Sequence, residues 1–325
     1  MQWTDEVALG DWLRDRLDDP WRRSIHDVVP RGFAAYARVL HPAYRERPVG
    51  RDWPPQPVER HRDAWADFAD DRPEIDTEAV TWAETAEAFG RTMHPEAQWN
   101  RLLGSDDPYG GSRARDAAGW QYSDPAIGRL DPERLAALAG VLAGATTTPD
   151  SGVAAVWEGW GGLVGAMGLG PSRAVLTFTD GDDEADARHR EFLAHSVHQP
   201  FERPWGRESW QPGILSDEIS GGARFELPHR AYVLFRAGAA DFADPAWPAR
   251  APWADPRSGG FGTESPSLLW PDDRAWVLAT EVDFDSTLVG GSAELVAAIC
   301  ATPGLEALPL PADADLTWAG DRINR

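Results

Sequence analysis

The stretch Trp270-Pro271-Asp272-Asp273-Arg274-Ala275-Trp276-Val277-Leu278-Ala279-Thr280-Glu281-Val282-Asp283-Phe284-Asp285 joins a β-like alternation to an acidic run. Its alternation predicts a strand over 275–284. Strand side chains project to opposite sides in turn, so Trp276, Leu278, Thr280, Val282 and Phe284 share one face. Glu281, Asp283 and Asp285 share the other. Three carboxylates at this spacing repel one another unless a cation, an arginine or water relieves them. Such a row suits a divalent-metal site or a carboxylate pair working as acid and base. The plain alternative is the end of a sheet, where the acids face solvent or pair with Arg274 and other arginines. Asp272 and Asp273 follow a proline and read as turn chemistry.

Working outward, 286–289 reads as another strand before Gly290-Gly291, and Ser292 caps a helix over 293–301. Upstream strands are expected at 32–40, closed by His41-Pro42, and at 152–157, 174–178, 230–235 and 267–270. Asp131 followed by Pro132 opens an Ala- and Leu-rich helix to about residue 143. A short helix is expected at 7–17, a charged one at 185–197, and helical spacing runs through 77–103 with a break at His94-Pro95. The stretches 45–60, 104–128 and 238–265 read as irregular connections. Strands and helices without regular βαβ spacing predict an α+β fold: a mixed, mostly antiparallel sheet, helices packed against it, and many long Pro-, Gly- and Trp-rich loops. Two α+β halves, 1–165 and 166–325, or one large domain, fit the length of 325 residues.

Composition excludes whole reaction classes. All 31 basic residues are arginine, so no Schiff base, pyridoxal phosphate linkage, Walker-type phosphate lysine or Ser-Lys pair is possible. Cys300, the one cysteine, sits in an apolar run and reads as a small buried hydrophobe. No apolar run approaches the ~20 residues of a membrane span, and the first residues lack a signal-peptide pattern, which predicts a cytoplasmic protein without membrane contact. A net charge of −22 argues against nucleic acid as a partner; it would speed encounter with a basic one, and its simpler reading is that it keeps the protein soluble.

Glu158, in Trp157-Glu158-Gly159-Trp160, follows a buried strand between two indoles, where desolvation would raise its pKa as a general acid requires. A tight turn with both rings folded onto the core is the simpler account. In a helix, Glu191, His195 and His198 fall on one face, but without a zincin motif this reads as solvated surface. There is no Gly-x-Ser-x-Gly elbow and no Rossmann fingerprint, and Gly290-Gly291-Ser292 reads as a helix cap rather than an anion site. Seventeen tryptophans stand out, with Trp205, Trp210, Trp247 and Trp253 in loop-like stretches. A Trp-lined groove with acidic rims suits a cationic or sugar-like ligand or a basic protein surface.

The run Trp270 to Ser292, with Trp157 to Gly161, resembles an uncharacterised protein family of bacteria with GC-rich genomes over most of the chain. That resemblance implies no activity. The acidic character and late Trp-rich strand are similar to those of the immunity proteins that neutralise polymorphic toxins, an analogy only. The expectation is therefore a non-catalytic protein that binds a basic protein or a cationic small ligand through Trp157, Trp160, Trp270, Asp272, Asp273, Arg274, Trp276 and Asp285. No cofactor is expected beyond a divalent metal held by Glu281, Asp283 and Asp285. The alternative expectation is a carboxylate- or metal-dependent hydrolase using Glu158, Glu281 and Asp283.

Overall fold

A computed structural model describes residues 1–18, 24–108, 113–167, 210–228, 230–256, 258–260 and 262–325. The fold is α+β. Its strands are β1 (Gln2–Thr4), β2 (Ala35–Leu40), β3 (Ala43–Pro48), β4 (Ile75–Val80), β5 (Gln121–Ser123), β6 (Gly152–Trp157) and β7 (Ala166–Met167). They continue with β8 (Trp210–Gln211), β9 (Phe225–Leu227), β10 (Arg230–Arg236), β11 (Leu268–Pro271), β12 (Val277–Ala279), β13 (Ser286–Gly291) and β14 (Ala307–Leu310). The expected strand at 174–178 and the helix bearing Glu191, His195 and His198 lie outside the described residues.

A nine-stranded antiparallel sheet runs β1-β10-β6-β11-β12-β13-β2-β14, with β9 beside β1 on β10. It takes β1, β2 and β6 from before residue 165 and its other strands from after it. Its strands are apolar on both sides because both faces are covered. Ala154, Val156, Val233, Phe235, Leu269, Leu278 and Val289 face the helices Pro132–Gly144 and Ala293–Cys300, which contribute Leu135, Leu138, Leu142, Leu295 and Ile299. Val153, Ala155, Tyr232, Leu234, Trp270, Val277 and Leu288 face the N-terminal segment, through Trp12, Leu13, Ile25 and Val29, and the later residues Leu310 and Ala314. The two helices begin as their sequences dictate: Asp131 accepts from Arg134 N–H at 3.0 Å with Pro132 behind it, and Ser292 accepts from Leu295 N–H at 3.1 Å.

A second sheet, β4-β3-β5, packs with the helices Trp82–Ala88 and Trp99–Leu102 around Trp82, Trp99 and Tyr122. This corrects two expectations. His41-Pro42 does end the first ladder, but the chain resumes extended as β3 rather than running irregularly through 45–60. The helical pattern of 77–103 is cut shorter because Thr77 to Val80 belong to β4 and Thr81 forms a capping box with Glu84 that starts the helix at Trp82.

Arg38 ties the large sheet to the segment that leads into the helix Trp99–Leu102. Fully buried, it donates from Nε to Ser286 Oγ at 2.9 Å and from Nη1 to the carbonyls of Pro95 at 3.0 Å and Ala97 at 2.7 Å, and pairs with Asp285 at 3.2 Å. Four of the five N–H groups of the fork thus meet an oxygen, and Asp285 supplies the counter-charge that a buried guanidinium requires.

Candidate ligand-binding cleft

Strand β12 stops at Ala279, which pairs with Leu288, and the chain reverses through Glu281-Val282-Asp283-Phe284. Phe284 N–H donates to the Glu281 carbonyl at 3.0 Å to close the turn. The continuous strand expected over 275–284 is therefore corrected: the reversal of the hairpin falls inside the acidic run. With it goes the shared acidic face. Asp285 turns inward to Arg38, whereas Glu281 and Asp283 meet at Arg230. The relief that three close carboxylates require comes from two arginines on different strands.

Arg230 opens β10, and Tyr232 two residues on pairs with Trp157 of β6, so Arg230, Tyr232 and Trp157 lie on one face. From there Arg230 Nε donates to Glu281 Oε1 at 3.0 Å and Nη2 to Asp283 Oδ2 at 2.7 Å. Its guanidinium carbon lies 5.3 Å from the Trp157 ring centre, a cation–π distance. The second Glu281 oxygen accepts from Asp283 N–H at 2.9 Å. The side chain of Glu281 is 18% exposed and that of Asp283 78%, so the pair grades from the interior to the mouth.

Arg230, Glu281 and Asp283 form one wall of a cleft of about 770 Å³, whereas Trp157 lies behind Arg230 and outside its lining. Leu17, Ile25, Val28, Leu227, Phe284 and Leu316 supply apolar lining. Asp18 also lines it, and its hydrogen bonds from Arg31, with help from Ser24, hold its carboxyl below the usual range. Tyr232, Ser267 and Thr280 contribute buried polar groups. Burial, reinforced by the Glu281 charge, drives the Tyr232 pKa well up, so the phenol stays protonated. Ser267 Oγ accepts from Trp157 N–H at 3.3 Å. The hydroxyl of Thr317, another lining residue, is buried and has no hydrogen-bond partner among the described residues.

Thr280 is also the outer member of a buried chain. Its hydroxyl lies 2.8 Å from that of Thr287, which lies 2.9 Å from His41 Nε2, while His41 Nδ1 donates to the Ala126 carbonyl at 2.6 Å. Burial pushes the His41 pKa down, so the ring is neutral and Nε2 accepts.

The remaining sequence-derived candidates fall elsewhere, and each placement has a physical cause. Glu158 is not squeezed between indoles: it is half-exposed, pairs with Arg224 at 2.8 Å, and lines a shallow depression of about 430 Å³ on the other side of Arg230. Trp157 and Trp160 meet edge to face at 5.4 Å. Trp270 and Trp276 are core residues rather than binding surface, the first against Trp12 at 6.4 Å and the second donating from Nε1 to the Leu142 carbonyl at 2.9 Å. Trp247 and Trp253 are likewise buried. Asp272 accepts from Ser151 at 2.8 Å and pairs with Arg236 at 3.4 Å. Asp273 fastens the 146–148 turn, accepting at 2.7 Å from Thr146 Oγ1 and from both the amide and hydroxyl of Thr147. Arg274 lies 5.2 Å over the Trp12 ring. Among the described residues no group of three or more His, Cys, Asp and Glu side chains is placed to hold a metal ion, so the triad Glu281, Asp283 and Asp285 does not form.

Sequence reasoning missed Arg230, Tyr232 and the N-terminal lining. Arg230 had a local signal, a cation opening a strand that is apolar up to Arg236, but its partners stand 51 and 53 positions away. Comparison with protein-family models, curated proteins and solved structures finds no significant match.

Proposed function

We propose that the protein is a non-catalytic, cytoplasmic binding protein for a small amphipathic cation, an amine or guanidine on an apolar body, taken into the cleft beside Glu281 and Asp283. The observation that carries this reading is the pairing of an apolar lining with the carboxylates Glu281 and Asp283, which already hold one cation, Arg230, over the Trp157 ring. Small-molecule sites combine this kind of lining with a few placed polar groups, and a cation over an indole gains further. The net charge of −22 attracts such a ligand over distance. Both Glu281 oxygens already accept hydrogen bonds, which suits holding charge in place rather than passing a proton.

Calorimetry with three matched probes tests the reading: phenethylamine, 2-phenylethanol and phenylacetate. The amine is expected to bind in a saturable manner, the alcohol at least about tenfold more weakly, a difference of about 1.4 kcal/mol. The paired substitution Glu281→Gln and Asp283→Asn removes the preference. Phenylacetate binding as tightly as phenethylamine overturns the proposal.

A further inference from the structure

We infer that Arg230 is the resident cation of this cleft, occupying the position that a ligand's cation takes, and that the preferred ligand is a guanidine which displaces it. The inference rests on the amphipathic-cation reading above and narrows it. Two observations support it.

The first is position. Arg230 lines both the 770 Å³ cleft and the 430 Å³ depression that holds Trp157, Glu158 and Glu226. Arg230 is thus shared, with Leu227, by two concavities, and at 23% exposure its side chain reaches solvent. If it leaves the cleft, the depression offers Glu226 and, beside its Arg224 partner, Glu158.

The second is the chemistry of the place it fills. A planar fork reaching two carboxylates while lying over an indole is the geometry in which a guanidinium surpasses an ammonium. Vacating it leaves Glu281, which is largely buried, without a counter-charge. Only another cation makes good that loss, so exchange with Arg230 selects for positive charge and rejects neutral molecules of the same shape.

The test uses Arg230→Ala, with ethylguanidinium as probe and ethylurea, its neutral analogue, as control. Ethylguanidinium is expected to bind the variant at least tenfold more tightly than the wild type and to raise the variant's melting temperature more, whereas ethylurea does neither. Arg230→Met, which keeps the apolar stem, serves if the alanine variant does not fold. On the wild type itself, phenethylguanidine should shift and broaden the Arg230 Nε–H resonance in nitrogen-resolved NMR spectra, because that donor loses Glu281. An unmoved Nε–H signal at saturation, or equal affinity of ethylguanidinium for variant and wild type, overturns the exchange. If phenethylamine still binds the wild type in that case, only the inference about Arg230 fails. If neither amine nor guanidine binds, the reading of the cleft fails with it.

Discussion

Asp273 shows how a residue that looks like turn chemistry sets a measurable pH dependence. Partial burial works against its charge, but the amide and hydroxyl of Thr147, the hydroxyl of Thr146 and the amide of Ala275 outweigh it and pull its pKa down to about 2. A depressed carboxyl stabilises the fold above its unfolded pKa near 3.8, and that stability is lost as pH falls toward about 2. Asp273→Asn is expected to cost about 1 kcal/mol at pH 7, the shift being discounted because the side chain is exposed. The gap between variant and wild type should stay level from neutral pH to about pH 5 and close below pH 4, as denaturant titrations at several pH values would show. Gly128 is a second sensitive position. It has φ of +73°, donates its N–H to the Phe284 carbonyl at 2.8 Å, and an added Cβ would run into the Val282 carbonyl. Gly128→Ala should cost about 1–3 kcal/mol and weaken cation binding, because it pushes on the turn that carries Glu281 and Asp283. Unchanged stability and affinity would show that this turn is not held from beneath. The turn role of Asp273 was legible in Pro271-Asp272-Asp273; the contact of Gly128 with Val282 was not, since nothing local links two residues so far apart.

At the scale of elements, the strands buried on both faces were the readable part. Strand β6 matches the expected 152–157, and β10, β11 and β13 lie within a residue or two of expectation, because continuous apolar runs bounded by Gly and Pro leave little choice. The hairpin of β12 and β13 was misread because Glu-Val-Asp-Phe-Asp keeps the alternation of a strand through a turn whose geometry is set by Arg230 and by the pairing with β13. The same limit hid β3 and β4, whose mostly polar residues, half-buried in β3 and exposed in β4, carry no core pattern. Trp276 joins β12 to the covering helix through Leu142, so Trp276→Phe should lose about 2–3 kcal/mol from the hydrogen bond and the space left behind. Equilibrium urea unfolding measures it, and a change below about 0.5 kcal/mol would mean the core closes around the smaller ring.

Across the whole molecule, a net charge of −22 has a consequence separate from any one pair. Arginines sit against most of the cleft's acids at short range, while the unbalanced remainder acts at long range and is screened over about 10 Å at 0.1 M salt. The association rate of phenethylamine is therefore expected to fall as salt rises from about 20 to 500 mM, with a smaller change in its dissociation rate. Stopped-flow tryptophan fluorescence separates the two, and a salt-independent association rate would remove charge from the account of binding. The acidity was plain in the sequence, but its distribution was not: among the described residues the expected acidic, Trp-rich surface became a set of indoles all but one of which are buried or half-buried, and a cleft that draws on segments at both ends of the chain. Cation binding beside Arg230 is read in the indole N–H spectrum of the protein titrated with phenethylamine, with the Trp157 signal assigned through Trp157→Phe. A saturable shift of the Trp157 resonance is expected with the buried Trp276 unmoved; a Trp157 signal that stays in place while other indoles respond would rule out a cation bound beside Arg230.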